Sequence, residues 1–199
     1  MVMEKKLLED IEQVAKLDKV PIIRAKSAEI MQNFVRDINP KKILEIGTAI
    51  GYSGLLLLQS AINAELTTID IDEDRAYIAR QNFDRAGVLN RVKIIIGDAS
   101  EIVPCHTIKY DFILLDGPKG KYLEMVPYLI DMLNVGGGIL IDNVLYFGLV
   151  EREGKIWHKH RTIVRSLRGT IDLCMNDPRL EAELLRLEDG LIKGIKVSE

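Results

Sequence analysis

Three oxygen-bearing side chains carry the strongest chemical signal in this sequence. Asp116 ends the apolar run 112–115, and Asp142-Asn143 ends the apolar run 139–141. Two carboxylates and an amide at neighbouring strand ends form an all-oxygen donor set. Hard cations such as Mg²⁺ take such a set and keep positions for water or substrate. Neither motif contains histidine or cysteine, which argues against zinc. Each piece also has a plain structural reading, with Asp142-Asn143 as a turn pair and Asp116 as the cap of a following helix.

The second signal lies in residues 42–53. An apolar run, 43–46, enters a turn holding Gly47 and Gly51, and the helix-compatible stretch 52–58 follows. Strand, glycine turn and helix in that order open a doubly wound sheet, with a ligand over the strand's carboxyl end. Gly47 permits the sharp turn, and Gly51 removes a side chain where a ligand must come close. Amides at the start of the helix would favour an anionic group. The spacing departs from the G-x-G-x-x-G dinucleotide pattern. Glu45 precedes the first glycine, where a pyrophosphate would be repelled and an ammonium or sulfonium would be welcome. An ordinary tight strand–helix turn is the alternative.

These groups need a scaffold, and the sequence supplies one. Residues 3–18 and 22–38 carry apolar stripes at helical spacing, separated by Val20-Pro21. Strands are expected at 66–71, 92–96, 112–115 and 139–141. Helices are expected at 52–62, 73–86, 100–103, 122–133 and 155–176, with Pro127 kinking the fourth of these or shifting its start. Trp157, Val164, Leu167, Ile171 and Met175 form the apolar face of the last. Segments 182–187 and 191–197 flank Asp189-Gly190, a tight-turn signal, and read as an antiparallel hairpin. Strands alternating with helices imply an α/β fold with a mostly parallel sheet and an antiparallel edge strand. Glu45, Asp70, Asp98, Asp116 and Asp142 then end five successive strands along one crevice. Asp70 has the position from which a carboxylate accepts from both hydroxyls of a ribose, with Asp72 as a helix cap beside it. Asp98 accepts from an adenine amino group or caps the helix after it.

Length and composition narrow the class. One domain is the best reading of 199 residues, and 47% hydrophobic with 29% charged residues is ordinary for a globular chain. A net charge of −3 rules out a uniformly basic coat but leaves room for a local basic face. Cys105 and Cys174, isolated, suit free thiols in a reducing cytoplasm. The charged N-terminus is no signal peptide, and no apolar run approaches a membrane span of ~20 residues.

Leu44-Glu45-Ile46-Gly47, Asp116-x-x-Lys119-x-x-Tyr122 and Asp142-Asn143-Val144 together resemble the cation-dependent O-methyltransferases, a family that includes catechol and caffeoyl-CoA O-methyltransferases. The resemblance covers nearly the whole chain. Within the family several stretches are most similar to bacterial tRNA 5-hydroxyuridine methyltransferases: Val20-Pro21-Ile22, residues 42–53, Lys119-Gly120-x-Tyr122, residues 142–150, Met175-Asn176-Asp177-Pro178 and Asp189-Gly190-Leu191. The resemblance implies a Rossmann-like class I methyltransferase. Its seven-stranded, doubly wound, mostly parallel sheet ends in a C-terminal antiparallel hairpin. Residues 1–40 would be N-terminal helices, residues 41–199 the sheet core, and the assembly a homodimer. S-adenosylmethionine and a divalent cation, Mg²⁺, are the implied cofactors. Gly47 and Ser53 would hold the methionine end of the cofactor, Glu45 would lie near its amino group, and Ile23 would add a contact. Asp70 would bind the ribose, and Asp98 with the backbone of Ala99 the adenine. Asp116, Asp142 and Asn143 would bind the metal, Asp116 also lying near the cofactor, and Lys119 would be the general base. Gly117-Pro118 departs from the family's small residues and stiffens the loop that carries Lys119.

Methyl transfer from a sulfonium needs an oxygen nucleophile, and a cation serves best when the acceptor offers two adjacent oxygens. A catechol does, and so does 5-hydroxyuracil. Arg152, Lys155, His158, Lys159, His160, Arg161, Arg165 and Arg168 crowd one stretch, with Arg161, Arg165 and Arg168 on one helical face. That face suits RNA phosphates or a solvated surface equally well. The resemblance favours tRNA. Tyr146, Phe147 and Trp157 are near enough to stack on a base, or they belong to the core.

Overall fold

The computed structural model describes residues 5–199; residues 3 and 4 of the first expected helix lie outside them. Helix α1 (Lys5–Leu17) buries Leu7, Ile11 and Ala15, and α2 (Ala25–Ile38) buries Met31, Phe34 and Val35. Strand β1 (Lys42–Ile46) leads into α3 (Tyr52–Ser60), and β2 (Glu65–Asp70) into α4 (Glu73–Arg85). Asp72 caps α4, its side chain accepting from the Arg75 amide at 3.0 Å. Then come β3 (Val92–Ile96), the short α5 (Ala99–Ile102), β4 (Tyr110–Leu115), α6 (Tyr122–Met132) and β5 (Leu133–Asp142). Helix α7 (Arg161–Asn176) precedes the hairpin of β6 (Leu180–Leu185) and β7 (Leu191–Lys196). No helix among the described residues is long and apolar enough to cross a membrane.

The seven strands form one sheet in the order β3-β2-β1-β4-β5-β7-β6. The first five pair in parallel, and β7 runs antiparallel between β5 and β6. Strand β4 is buried along nearly its whole length, which is why residues 112–115 are an unbroken apolar run. One core layer packs α1 to α4 side chains such as Phe34, Leu55 and Phe83 against Ile43 and Leu114. The other packs Tyr122, Met125, Leu129 and Leu167 from α6 and α7 against Leu44, Ile113 and Leu115. The strand order reverses between β1 and β4, so the crevice outside their carboxyl ends is the place for a ligand.

Four local expectations are corrected. Residues 20–24 are extended, so α2 begins at Ala25 and not at Ile22. Strand β5 begins at Leu133 and runs through the triple glycine. A Cβ on Gly138 would lie 2.8 Å from the Phe34 ring, so the glycine there answers a packing demand. The last helix begins at Arg161 after a 3₁₀ turn, His158–His160, which leaves Trp157 outside it and 67% exposed. The hairpin connection is the loop 186–190, longer than a two-residue turn, with Asp189-Gly190 at its end. Helix α6 continues through Pro127.

Candidate active site

A cavity of about 720 Å³ opens at the carboxyl ends of the strands, a volume suited to a cofactor with an acceptor beside it. Asp70, Asp98, Asp116 and Asp142 all line it, as do Ile23, Gly47, Ser53, Ala99, Lys119 and Asn143. The strand order makes the four aspartates successive around the rim, with β1 between Asp70 and Asp116.

Glu45 is placed differently. It is fully buried and absent from the cavity wall. Alternation along β1 gives it the side of Ile43, beneath α3, while Ile46 faces the cavity. Its cross-strand neighbour is Thr68. Ser53 Oγ donates to Glu45 Oε1 at 2.6 Å and Thr68 Oγ1 donates to Oε2 at 2.7 Å. Burial pushes this carboxyl up to about 7 against the pull of those two hydroxyls. Glu45 thus acts through Ser53. The hydroxyl's one proton is committed inward, so Ser53 presents only acceptor lone pairs to the cavity, which suits an ammonium.

The glycines divide their work. Gly47 has φ +104°, and a Cβ there would lie 2.1 Å from the Asp116 carbonyl oxygen. Its amide donates to the Ile69 carbonyl at 2.9 Å, extending the ladder past the strand end. Gly51, expected to make room for a ligand, faces α4 instead: a Cβ would meet the Phe83 ring at 3.1 Å and the Ala79 Cβ at 3.2 Å. Asp70 accepts from the Ala49 amide at 2.7 Å and the Asp72 amide at 3.0 Å, so it shapes the turn after β1 while facing the cavity. Asp98 caps α5, its Oδ1 accepting from the amide and hydroxyl of Ser100, which hold the carboxyl below the usual range.

Beyond β1 lies an acidic pocket in which Lys119 is paired with Asp116. Lys119 Nζ donates to Asp116 Oδ1 at 2.8 Å, both side chains about a quarter exposed. Asp142 is 2% exposed, and burial, then the neighbouring Asp116, raise its carboxyl well above the ordinary range. Asn143 has φ +59°, a left-handed conformation that asparagine tolerates better than most residues. Its backbone amide donates to Asp142 Oδ1 at 2.6 Å and its side-chain Nδ2 at 3.2 Å, leaving the side-chain oxygen for a ligand. Among the described residues no three His, Cys, Asp or Glu side chains cluster as ligands. The oxygen set here is two carboxylates and one amide.

Asp189 also lines the cavity, a residue that sequence reading treated only as part of a turn. A D-G dipeptide is the signal for a turn, and nothing local says that the turn faces a site. Tyr146 and Phe147 line the mouth, Phe147 being 73% exposed.

A family model described as O-methyltransferase matches residues 2–197. The chain belongs to the O-methyltransferase family. It is an S-adenosylmethionine-dependent O-methyltransferase. It is 28% identical over 178 residues to a caffeoyl-CoA O-methyltransferase of Stellaria longipes, spanning 83% of this chain and 72% of that one. It is 33% identical over 128 residues to the catechol O-methyltransferase of Sus scrofa, spanning 60% of this chain and 69% of that one. The solved O-methyltransferase of Bacillus cereus in complex with SAH superposes with a TM-score of 0.85 at 25% identity, covering 98% of this chain and 93% of that one.

In this O-methyltransferase the basic stretch is partly spent on its own backbone. Arg168 donates to the carbonyls of Val150 and Arg152, both at 2.8 Å, and Arg161 Nε donates to that of Ile156 at 3.2 Å. Lys155, Arg161, Arg165 and Arg168 still line a shallow depression of about 390 Å³.

Proposed function

We propose that this O-methyltransferase transfers a methyl group to the 5-hydroxyl of 5-hydroxyuridine at the wobble position of tRNA, with Mg²⁺ as the cation. The observation that carries this reading is an aromatic ridge running out from the cavity mouth, with Phe147 and Trp157 exposed and Tyr146 and His160 half-buried. Phe147 and Tyr146 have ring centroids 5.2 Å apart, Tyr146 and His160 5.6 Å, and His160 and Trp157 6.4 Å. Lys159 sits over the Trp157 ring at 5.7 Å. Large aromatics left in water beside a catalytic cleft suit unstacked bases, which pack on aromatic faces when a nucleotide is turned into an active site. The basic depression next to the ridge supplies groups for backbone phosphates.

The residues fit the cofactors. Ser53 presents acceptor lone pairs, and Asp70 and Asp98 present carboxylates, to the cavity that Ile23 also lines. S-adenosylmethionine supplies an electrophilic methyl on a sulfonium when bound. Asp116, Asp142 and the Asn143 side-chain oxygen would hold the cation. A buried acid beside a second acid is a set that a dication relieves. The cation supplies Lewis acidity, lowering the pKa of an acceptor hydroxyl. Lys119 is the nearby nitrogen that takes the hydroxyl proton; as an ammonium donating to Asp116 it has no free lone pair, so it must first release its own proton to solvent and leave that ion pair. Tyr146 and Phe147 stack on the acceptor ring and keep water from the in-line path.

A second reading, a catechol-like small acceptor, is favoured by the named activities of the relatives and by the arginines spent on backbone carbonyls. One assay separates the two. Labelled S-adenosylmethionine and Mg²⁺ are supplied with tRNA bearing 5-hydroxyuridine or with catechols, with a chelator control. Chelator-sensitive label in tRNA that is lost in Arg161→Glu/Arg165→Glu is the expected result. Label in catechols alone would replace the RNA reading with the second.

A further inference from the structure

The loop 186–190 between β6 and β7 is bonded to both halves of the cavity. On one side Glu188 reaches the start of α2. Its Oε2 accepts from the Ser27 amide at 3.0 Å and the Ser27 hydroxyl at 2.7 Å, and its Oε1 from the Lys26 amide at 3.3 Å. Arg24, at the cap position of α2, makes no side-chain cap, so a residue more than 160 positions away satisfies the first turn. The segment just before this helix, including Ile22, Ile23 and Arg24, lines the cavity.

On the other side the loop holds the turn that follows the oxygen-donor set. Asp189 Oδ1 accepts from the Phe147 amide at 2.5 Å, the Asp189 carbonyl from the Leu145 amide at 2.8 Å, and the Gly190 carbonyl from the Val144 amide at 3.1 Å. That turn is strained: Asn143, Tyr146 and Phe147 have φ of +59°, +45° and +55°. Left-handed conformations are strained in non-glycine residues, least so in asparagine, and persist where neighbours over-determine them. Three donor–acceptor pairs from one loop are that determination. Gly190 brings the loop close, since a Cβ there would lie 2.3 Å from Leu145 Cγ.

We infer that Glu188 and Asp189 form a clip through which cofactor binding orders the acceptor-facing turn 143–147. They are positioning residues. Filling the cofactor side fixes residues 22–24 and with them the start of α2, Glu188 carries this to the loop, and Asp189 sets the backbone at Leu145 and Phe147, on either side of Tyr146. The acceptor site is then complete only once the cofactor is in place. This rests on the assignment of the Ile23, Ser53 and Asp70 side to S-adenosylmethionine, and not on the identity of the acceptor.

The test is hydrogen–deuterium exchange with S-adenosylmethionine as the sole ligand, on the full chain and on Glu188→Ala, Glu188→Gln and Ser27→Ala. In the unmodified protein the cofactor slows exchange in residues 47–53 and also at 144–147. Glu188→Ala keeps the first protection and loses the second. Ser27→Ala, a milder change should Glu188→Ala fold poorly, weakens the second, and Glu188→Gln, which keeps an acceptor, restores it. Acceptor KM, read on 5-hydroxyuridine tRNA or a catechol, rises about ten-fold in Glu188→Ala with cofactor affinity retained, the scale of a typical coupling between sites. Equal protection of 144–147 in Glu188→Ala, or none in the unmodified protein, overturns the clip. Absent protection of 47–53 would overturn the cofactor assignment itself.

Discussion

Replacing Glu45 by glutamine tests the buried carboxyl behind Ser53. Its ordinary value of 4.5 is raised to about 7 by burial. The unfolded chain releases this proton near 4.5, and the folded chain holds it until about 7. Between those values the folded state binds more protons, so stability falls as pH rises. Below 4.5 the group contributes no difference, and above 7 its full cost stands. At about 1.4 kcal/mol per pH unit, that cost is about 3 kcal/mol. The surroundings can accept glutamine. Thr48 and Thr68 hydroxyls lie 2.6 Å apart and either can donate, so Thr68 can turn its proton to Thr48 and accept from the new amide. Urea denaturation of both proteins from pH 5 to 8 gives the result. Glu45→Gln exceeds the unmodified protein by less than about 1 kcal/mol near pH 5 and gains on it steadily, up to about 3 kcal/mol above pH 7. A stability difference that stays flat over that range would refute the claim that Glu45 is desolvated and titrates near neutrality.

The two glycines of the turn should separate cleanly. Gly47→Ala collides with the Asp116 carbonyl and should cost about 3 kcal/mol or more and abolish cofactor binding, read by denaturation and calorimetry. Gly51→Ala meets Phe83 and Ala79, so it should cost about 1–3 kcal/mol in stability while the folded protein still binds cofactor. Lys119→Gln should lower kcat by about 10²–10⁴-fold with cofactor affinity unchanged. An unaltered kcat would remove Lys119 from the proton transfer.

The order and kind of the strands and helices were legible because each element carries its own period. The unbroken apolar run 112–115 and the alternating stretches state their burial locally, and Asp-Gly at the end of 186–190 announces a chain reversal. Element edges were less legible. The expected helix 155–176 starts only at Arg161, because the chain first makes the 3₁₀ turn His158–His160. Residues 136–138, three glycines, run inside β5, and at Gly138 the demand for glycine comes from Phe34, a residue on another element.

By itself the sequence determined that acids end successive strands of a doubly wound sheet, that Asp116, Asp142 and Asn143 come together, and that a glycine must follow β1. These follow from chain order and strand period alone. Only the tertiary structure decided that Glu45 lies behind the cavity wall, that Gly51 serves α4, that Arg168 is spent on the backbone, and that Asp189 and Glu188 join the two halves of the site. The reason is physical. A local pattern fixes which residues share a face, but a hydrogen bond such as Glu188 to Ser27 depends on two segments far apart in the chain meeting across the sheet's edge, and no local period encodes that meeting.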